Sequence, residues 1–386
     1  MKYCIVSAGF PPNARGGAEM AAYRQVQLLQ EAGDEVVVVT LARPDEPVFA
    51  FVKQGHLHMY RYRPWNVGSY SLLHTYSFMR RALWHLIDAH NAWSTTLFLR
   101  ILRQERPDVV VTHGLKGLGY LLPRTAKRFG VKTIHVVHDV QLIEPSGIAD
   151  EAVRWTVVRA LWSRWTRIVF GSPHAVFFPS AWLAHVSEMW HFFPRSQKHV
   201  VRNPLLETKK SSARPIRTLL FLGQVEAHKG ISELLAAVQR IEKEYTLLVV
   251  GDGTAVPFVE EAMKHNIHVR YLGRREGAAL AEAWATADLV FVPSTCAENA
   301  PTVIQEAAAH GIPALASRIG GIPELVREGE TGWLVPPGNV DALRSAIEAV
   351  LGTMITTEQQ AAMASLAEQW SGKEYVKIVR ETVASI

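Results

Sequence analysis

Short, nearly unbroken apolar runs alternate along this chain with longer stretches whose apolar positions recur every three or four residues. In the front half "KYCIVSA" leads through a glycine loop into "AEMAAYRQVQLLQEAG" and then into "EVVVVT", with further apolar runs at "DVVVTH" and "KTIHVVHD". The back half starts the theme again with "RTLLFLG", "YTLLVVG", "HVRYLG", "DLVFVP" and "PALAS", separated by helical stretches such as "GISELLAAVQRIEKE" and "AALAEAWATA". Runs that lack polar alternation are those of parallel strands covered on both faces, and the alternation with amphipathic helices predicts α/β architecture. The fold expected is therefore two doubly wound parallel-sheet domains, which a length of 386 residues accommodates.

Between the halves, "RNPLLETKKSSARPIR" (202–217) has proline near both ends and a polar, charged centre, and it reads as a linker. Domain boundaries of 1–206 and 207–372 follow. The tail reads as a helix, a break near Ser371 and Gly372, and a last helix, 373–386, expected to complete the first domain. No repeat of 20 to 50 residues is visible.

Composition narrows the class. At 48% hydrophobic and 20% charged residues the chain reads as soluble and globular, and no apolar run reaches the roughly 18–20 residues of a spanning helix. The opening "MKYCIVSAGFPP" puts two prolines where a signal peptide would carry small residues, so it reads as a first core strand. Two cysteines, Cys4 and Cys296, exclude a disulfide framework and cysteine-based zinc spacing, and a cytoplasmic location is expected.

Charge is uneven. Residues 1–204 carry 24 Lys+Arg against 14 Asp+Glu, a balance of +10, whereas the remainder carries 17 against 22, a balance of −5. A basic front half suggests an anionic partner, such as a phospholipid surface or a phosphorylated acceptor, which would make the protein membrane-peripheral; a merely solvating surface is the alternative. Aromatic residues crowd the same half, with Trp65, Trp84 and Trp93 and then "RWTVVRALWSRWTRIVF", where Arg154, Arg159, Arg164 and Arg167 interleave with tryptophans. The spacing gives no clean stripe, so these tryptophans are expected in the core, with a membrane or acceptor face as the alternative and no nucleic-acid partner.

Candidate chemistry gathers in "CAENAPTVIQEAAAHG" (296–311). Asn299 can cap, Pro301 suits a first helical turn and Gly311 an end, predicting a helix over about 301–309. Such a helix opens at the C-terminal edge of a parallel strand, where unpaired N–H groups and the positive dipole end favour phosphate. Glu298 would stand beside this anion site. Glu306, more than a turn further on, could accept from the two hydroxyls of a ribose, unless it is an ordinary solvent-facing glutamate. In "FLGQVEAHKGISELL" Lys229 and Gly230 lie between a strand and a helix, so the lysine can reach a phosphate. Gly16 and Gly17 occupy the first strand-to-helix loop. "VVGDGT" is half a dinucleotide fingerprint with Val256 at the third glycine, which leaves Gly251 and Gly253 as turn residues and weakens a nicotinamide-enzyme reading.

Taken together, "PPNARGGAE", "HVVHD" (135–139), "GQVEAHKG" (223–230), "VVGDG", the Glu298 and Glu306 pair and "GGIPELVREGETGWLVPPGN" (320–339) resemble the retaining glycosyltransferases of family 4, over nearly the whole chain. The resemblance implies a GT-B fold, two Rossmann-like domains facing an interdomain cleft, with the acceptor side in the first domain and the donor side in the second. It implies a nucleotide-diphosphate-sugar donor, UDP- or GDP-linked, and a saccharide or lipid-linked acceptor, in cell-surface polysaccharide or glycolipid synthesis. Residue by residue, it implies that Glu306 holds the ribose, Glu298 contacts the transferred sugar, and Lys229 neutralises the diphosphate. Backbone N–H groups around Asn299, Ala300, Pro301, Thr302 and Val303 would bind phosphate oxygens. Gly223, Gln224 and Gly251 would line the donor site, Gly16 and Gly17 the phosphates, and His138 would meet the sugar from the first domain, unless it is a structural histidine. One position departs from the pattern: an arginine usually follows the glycine of "GQVEAHKG", and here Gln224 stands there, so that Arg318, Arg274 or Arg275 would have to supply the charge. No Asp-x-Asp triplet occurs, which predicts no divalent metal and no other cofactor. The rival readings are a sugar-nucleotide epimerase or hydrolase on the same architecture and a catalytically silent nucleotide-sugar-binding protein.

Overall fold

A computed structural model describes residues 1–386 apart from 13, 15, 44, 150–154 and 206–213, and apart from the side chains of 71 and 74. The centre of the expected linker, the 206/207 boundary, Arg154 and part of the "PPNARGGAE" loop therefore lie outside the described residues. The chain divides into two compact units, one of Met1–Ile148, Val153–Pro204 and Gly372–Ile386, the other of Ala149–Ala152 and Leu205–Ser371.

The first unit is built on β1 (Lys2–Val6), β2 (Glu35–Leu41), β3 (Phe49–Gln54), β4 (Leu57–Tyr62), β5 (Val109–Thr112), β6 (Lys132–Val136), β7 (Ala175–Phe178) and β8 (Gln197–Val200). Their order across the sheet is β3-β4-β2-β1-β5-β6-β7-β8, with β3 antiparallel to β4 and every other neighbour parallel. The apolar runs of β1, β2, β5 and β6 are buried because helices cover both faces of the sheet. Strands β3 and β4 are absent from the sequence reading. They form a hairpin whose two-residue turn, Gly55 and His56, joins Gln54 to its partner Leu57, and Phe51 packs on Tyr60 across the strands. β4 interleaves His58 and Arg61 with its apolar residues, and the apolar run at 48–52 that makes β3 lies exposed on the sheet edge, so neither matches a strand covered on both faces.

The last helix, Gly372–Ser385, belongs to this first unit. Tyr375, Val379 and Val383 join its core with Tyr3, Ile5 and Val26. Lys132 Nζ donates to the Val383 carbonyl at 2.7 Å, and Arg380 pairs with the buried Asp34 at 2.9 Å.

The second unit carries β9 (Thr218–Leu222), β10 (Thr246–Val250), β11 (Val269–Gly273), β12 (Leu289–Val292), β13 (Ala314–Ser317) and β14 (Gly332–Val335). All pair in parallel in the order β11-β10-β9-β12-β13-β14. The strand that comes first in sequence, β9, sits in the middle, and the direction of winding reverses between it and β12. Such a reversal parts the loops that leave the two strands and opens a crevice at their C-terminal ends.

The tryptophan expectation is overturned. Trp84 is buried and donates to the Gly68 carbonyl at 2.9 Å, but Trp65, Trp93, Trp155 and Trp165 are exposed. The helix Val157–Phe170 turns Ser163, Thr166, Val169 and Phe170 inward. Trp165 lies to the side of that set and is exposed, whereas Trp162, one turn before Thr166, is half-buried and donates to the Gln141 carbonyl at 3.1 Å.

Candidate functional site

Two loops of the second unit leave neighbouring strands at the winding reversal. The loop after β9 carries Gly223 and Gln224, both exposed, and then a short 3-10 turn, Ala227–Lys229. Gly230 ends that turn in the left-handed region, at φ +74°, before the helix Ile231–Val238 begins. A Cβ at residue 230 would lie 1.9 Å from the Pro293 carbonyl oxygen, so glycine is what lets this loop lie against the one after β12. The Thr295 amide donates to the His228 carbonyl at 3.0 Å and ties the loops together.

The consequence is a pairing of side chains 69 residues apart. Lys229 Nζ lies 2.6 Å from Glu298 Oε2, and Ser294 Oγ donates to Glu298 Oε1. Glu298 is held through its backbone too: its carbonyl accepts from the Gly321 amide at 2.7 Å, and a Cβ on Gly320, at φ +61°, would lie 2.3 Å from that carbonyl oxygen. The loop after β13 thus presses on Glu298 from the other side. Burial, and then the ammonium of Lys229, hold the imidazole of His228 below its ordinary pKa, while burial and the nearby Glu298 push the Cys296 thiol up.

The loop after β12 runs into the helix Thr302–His310, which ends at Gly311 in the left-handed region. The expected start needs correction. Pro301, not Asn299, is the N-cap residue, and it is extended at ψ 118° instead of forming the first turn. A proline side chain offers no acceptor, so no side chain at the cap position closes off the amides of Thr302 and Val303, which are those a phosphate would meet. Ala300 is buried, Asn299 and Glu298 are half-buried, and Glu306 is half-buried on the helix between the buried Gln305 and Ala307. Gly251, after β10, accepts from the Tyr271 hydroxyl at 3.0 Å. Of the arginines that could replace the charge missing at Gln224, Arg318 pairs with Glu328 at 2.8 Å and Arg274 with Glu276 at 2.7 Å, both pairs exposed.

In the first unit, Gly16 is the N-cap of the helix Gly17–Glu31, and its amide donates to Glu19 Oε2 at 3.0 Å. Its backbone is extended, and a Cβ there would meet nothing within 4 Å. Neither strain nor packing calls for glycine at residue 16.

His138 follows β6 and is not isolated. Its Nε2 lies 2.9 Å from Nδ1 of His113, the residue directly after β5, with the two rings stacked 5.2 Å apart. His113 Nε2 in turn lies 2.7 Å from Gln25 Oε1, in the buried interior. A carboxamide oxygen can only accept, so His113 carries its proton on Nε2 and its Nδ1 accepts from His138 Nε2–H. Burial pushes His138 down to about 4 and His113 well below the ordinary imidazole range, so both rings are neutral near pH 7. The neighbouring Asp139 is pushed up to about 6 by burial, even though it accepts from the Gln141 amide at 2.8 Å. Sequence reasoning missed His113 and Gln25. The signal for the first was its place directly after the strand "DVVVTH", beside the winding reversal between β1 and β5.

Comparison with known proteins yields two family matches. Residues 15–205 match the model described as Glycosyltransferase Family 4, and residues 216–353 the model described as Glycosyl transferases group 1. A phosphatidyl-myo-inositol mannosyltransferase of Mycobacterium leprae is 34% identical over 177 residues, 44% of this chain and 47% of that protein, so the match spans about half the length of that relative. A glycogen synthase of Mycobacterium tuberculosis is 27% identical over 94% of this chain and 88% of that protein. Among solved structures, sucrose-phosphate synthase from Thermosynechococcus elongatus superposes with a TM-score of 0.73 at 19% identity, covering all of both chains. The Anabaena protein HepE, in complex with UDP-glucose, superposes at 0.70 and 16% identity, again over all of both chains. At such identities the structural likeness speaks for the fold alone.

Proposed function

Because the chain belongs to the family 4 glycosyltransferases of the GT-B fold, we propose that it moves a sugar from a nucleotide-diphosphate donor to a hydroxyl of a saccharide or lipid-linked acceptor, with retained configuration. The observation that carries this reading is Lys229 held 2.6 Å from Glu298, at the winding reversal and in the loop that leads into the helix Thr302–His310.

Breaking the bond from the anomeric carbon to the diphosphate leaves an oxocarbenium-like sugar and a leaving group that gains negative charge. A lysine ammonium and a helix N-terminus answer that charge where it develops. In this reading Lys229 exchanges part of its contact with Glu298 for a phosphate oxygen, and the amides of Asn299, Ala300, Thr302 and Val303 take others. Glu298 is then available to hydroxyls of the transferred sugar. Glu306 accepts from the ribose, and Gly223, Gln224 and Gly251 line the donor. The new C–O bond forms to the acceptor oxygen, whose proton leaves to the departing phosphate. No divalent ion is needed, since cationic and dipolar groups of the protein do this work. A role in cell-surface polysaccharide or glycolipid synthesis fits a relative that acts on a phosphatidylinositol lipid.

His138 acts on the sugar side in this scheme, and His113 with Gln25 positions it. Replacing His113 by asparagine is expected to lower kcat roughly tenfold, a fraction of the 10²–10⁴ that an acid or base contributes, with the donor KM unchanged. Steady-state kinetics check this. A mutant that changed KM alone, or neither constant, would remove His113 from the positioning role.

The test of the reading as a whole is a thermal-shift screen with UDP-, GDP-, ADP- and dTDP-sugars. One of them should raise the melting temperature, since a ligand at 100 times its Kd stabilises by about 2.7 kcal/mol, and Glu306→Ala should abolish the shift. The same donor should then be consumed only with acceptor present, and equally in EDTA. Donor turnover without acceptor would point to a hydrolase or epimerase. Tight binding without turnover would make this a silent nucleotide-sugar-binding protein, the outcome that an uncharged Gln224 keeps in view.

A further inference from the structure

Two helices of the first unit present apolar stripes to solvent as well as to the core. The helix Val157–Phe170 buries the hydroxyls of Ser163 and Thr166, the second of which donates to the Leu142 carbonyl at 2.6 Å. To solvent it presents Val157, Val158 (75% exposed), Leu161 (66%), Trp165 and Ile168 (61%). These positions recur every three or four residues and form one stripe. The helix Phe78–Ala89 does the same: it buries Asp88 beside Trp84 and Ala89, and exposes Phe78 and Met79 (75% each), Leu83 and Leu86. The two helices are neighbours, since His85 packs on Trp162 and His90 on Trp165, at ring separations of 5.9 and 5.0 Å. The stripes therefore belong to one region of the surface, and an ordinary surface helix has the opposite arrangement.

The charges that these two helices themselves carry to the surface have one sign. The helix Val157–Phe170 carries Arg159, Arg164 and Arg167 and no acidic residue, and Arg159 pairs with the carboxylate of Glu144. The helix Phe78–Ala89 carries Arg80 and Arg81, both exposed, and its one acid is the buried Asp88. We propose that this two-helix face docks on the surface of an anionic lipid bilayer, with the aliphatic and tryptophan side chains among the acyl-chain ends and the arginines at the phosphates. An apolar stripe flanked by cations fits that surface on both counts. A helix of 14 residues, about 21 Å long, is too short to cross the roughly 30 Å of a bilayer core and would lie in its plane. The proposal is independent of the donor reading, because it rests on none of the residues assigned to the donor.

The experiment is flotation of the full chain, without donor or acceptor, on vesicles of pure phosphatidylcholine and on vesicles of equal parts phosphatidylcholine and phosphatidylglycerol. The expected result is co-flotation with the anionic vesicles, at least about tenfold weaker on neutral ones and weakened by added salt. A triple variant, Leu161→Ser with Trp165→Ser and Ile168→Ser, should lose it. Because those side chains are exposed, the variant should keep the wild-type melting temperature; if it does not, Arg81→Glu with Arg164→Glu serves the same purpose through charge alone. Three outcomes would overturn the proposal: no flotation with either vesicle, equal flotation with both, or flotation unchanged by both sets of substitutions. So would a dimer in solution that the triple variant splits while vesicles bind neither form, for the face would then cover a second copy of the chain.

Discussion

Lys229→Ala is expected to lower kcat by about 10²–10³-fold, the loss typical of removing one group that stabilises charge in a transition state. The side chain is placed for that role by three features: the 3-10 turn Ala227–Lys229, the left-handed Gly230 behind it, and the 2.6 Å pairing with Glu298. Removing the ammonium does more than subtract a charge. It leaves the Glu298 carboxylate, only 13% exposed, with the Ser294 hydroxyl as its side-chain partner, and a diphosphate brought to this place would then meet a carboxylate with no cation between them. Lys229→Arg keeps the charge but spreads it over a planar fork, so partial activity is expected. Steady-state kinetics with the donor identified by thermal shift check both variants. An alanine variant whose kcat fell less than about threefold would mean that the diphosphate is neutralised elsewhere, and Arg318 would be the next residue to replace.

Gly230→Ala is expected to destabilise the protein by about 3 kcal/mol, which is large for a single added methyl group. Two costs add. An L-residue held in the left-handed region costs roughly 1–2 kcal/mol, and forcing an atom into occupied space costs roughly 1–3 kcal/mol more. The obstructing atom is a backbone oxygen, that of Pro293, 1.9 Å from the added carbon, and it cannot move aside as a flexible side chain would. For a unit of this size the melting temperature should fall by roughly 5–10 °C in scanning calorimetry. Gly16→Ala is the control: its backbone is extended and the added carbon has open space, so the melting temperature should stay within about 1 °C. Equal effects at the two positions would show that the loop after β9 yields where the geometry says it cannot. Since Pro293 leads to Glu298 and residue 230 follows Lys229, the Gly230 variant should also separate that pair and lose activity beyond its loss of stability.

Much of the second unit was legible beforehand, because β9, β10, β12 and β13 are covered on both faces and read as apolar runs wherever they occur. The hairpin of β3 and β4 was not: the apolar run at 48–52 is as unbroken as that of a core strand, but Phe49, Phe51 and Val52 stand exposed at a sheet edge, and only pairing with β4 makes the run a strand. The start of the helix Thr302–His310 was misjudged by one residue for a local reason: Asn299 is a good cap in isolation, but the chain stays extended through Pro301. The tryptophans of 155–165 were misjudged for a more general one. Periodicity shows which residues share a face of a helix, while the direction of that face depends on what the helix packs against, here through Ser163 and Thr166.

What the sequence determined by itself was the alternation of strand and helix, the restart of that alternation after residue 217, and the residue types in the loops after the strands, Lys229, Glu298 and His138, and on the helix that follows, Glu306. These are local properties, set by side-chain burial and turn chemistry within a few residues. The tertiary structure alone decided that Lys229 touches Glu298, that His113 and Gln25 stand behind His138, and that an arginine-bordered apolar stripe faces outward. Each of these joins residues far apart in the chain, or turns on the facing of a helix, and only the order and packing of the strands and helices around them sets such relations.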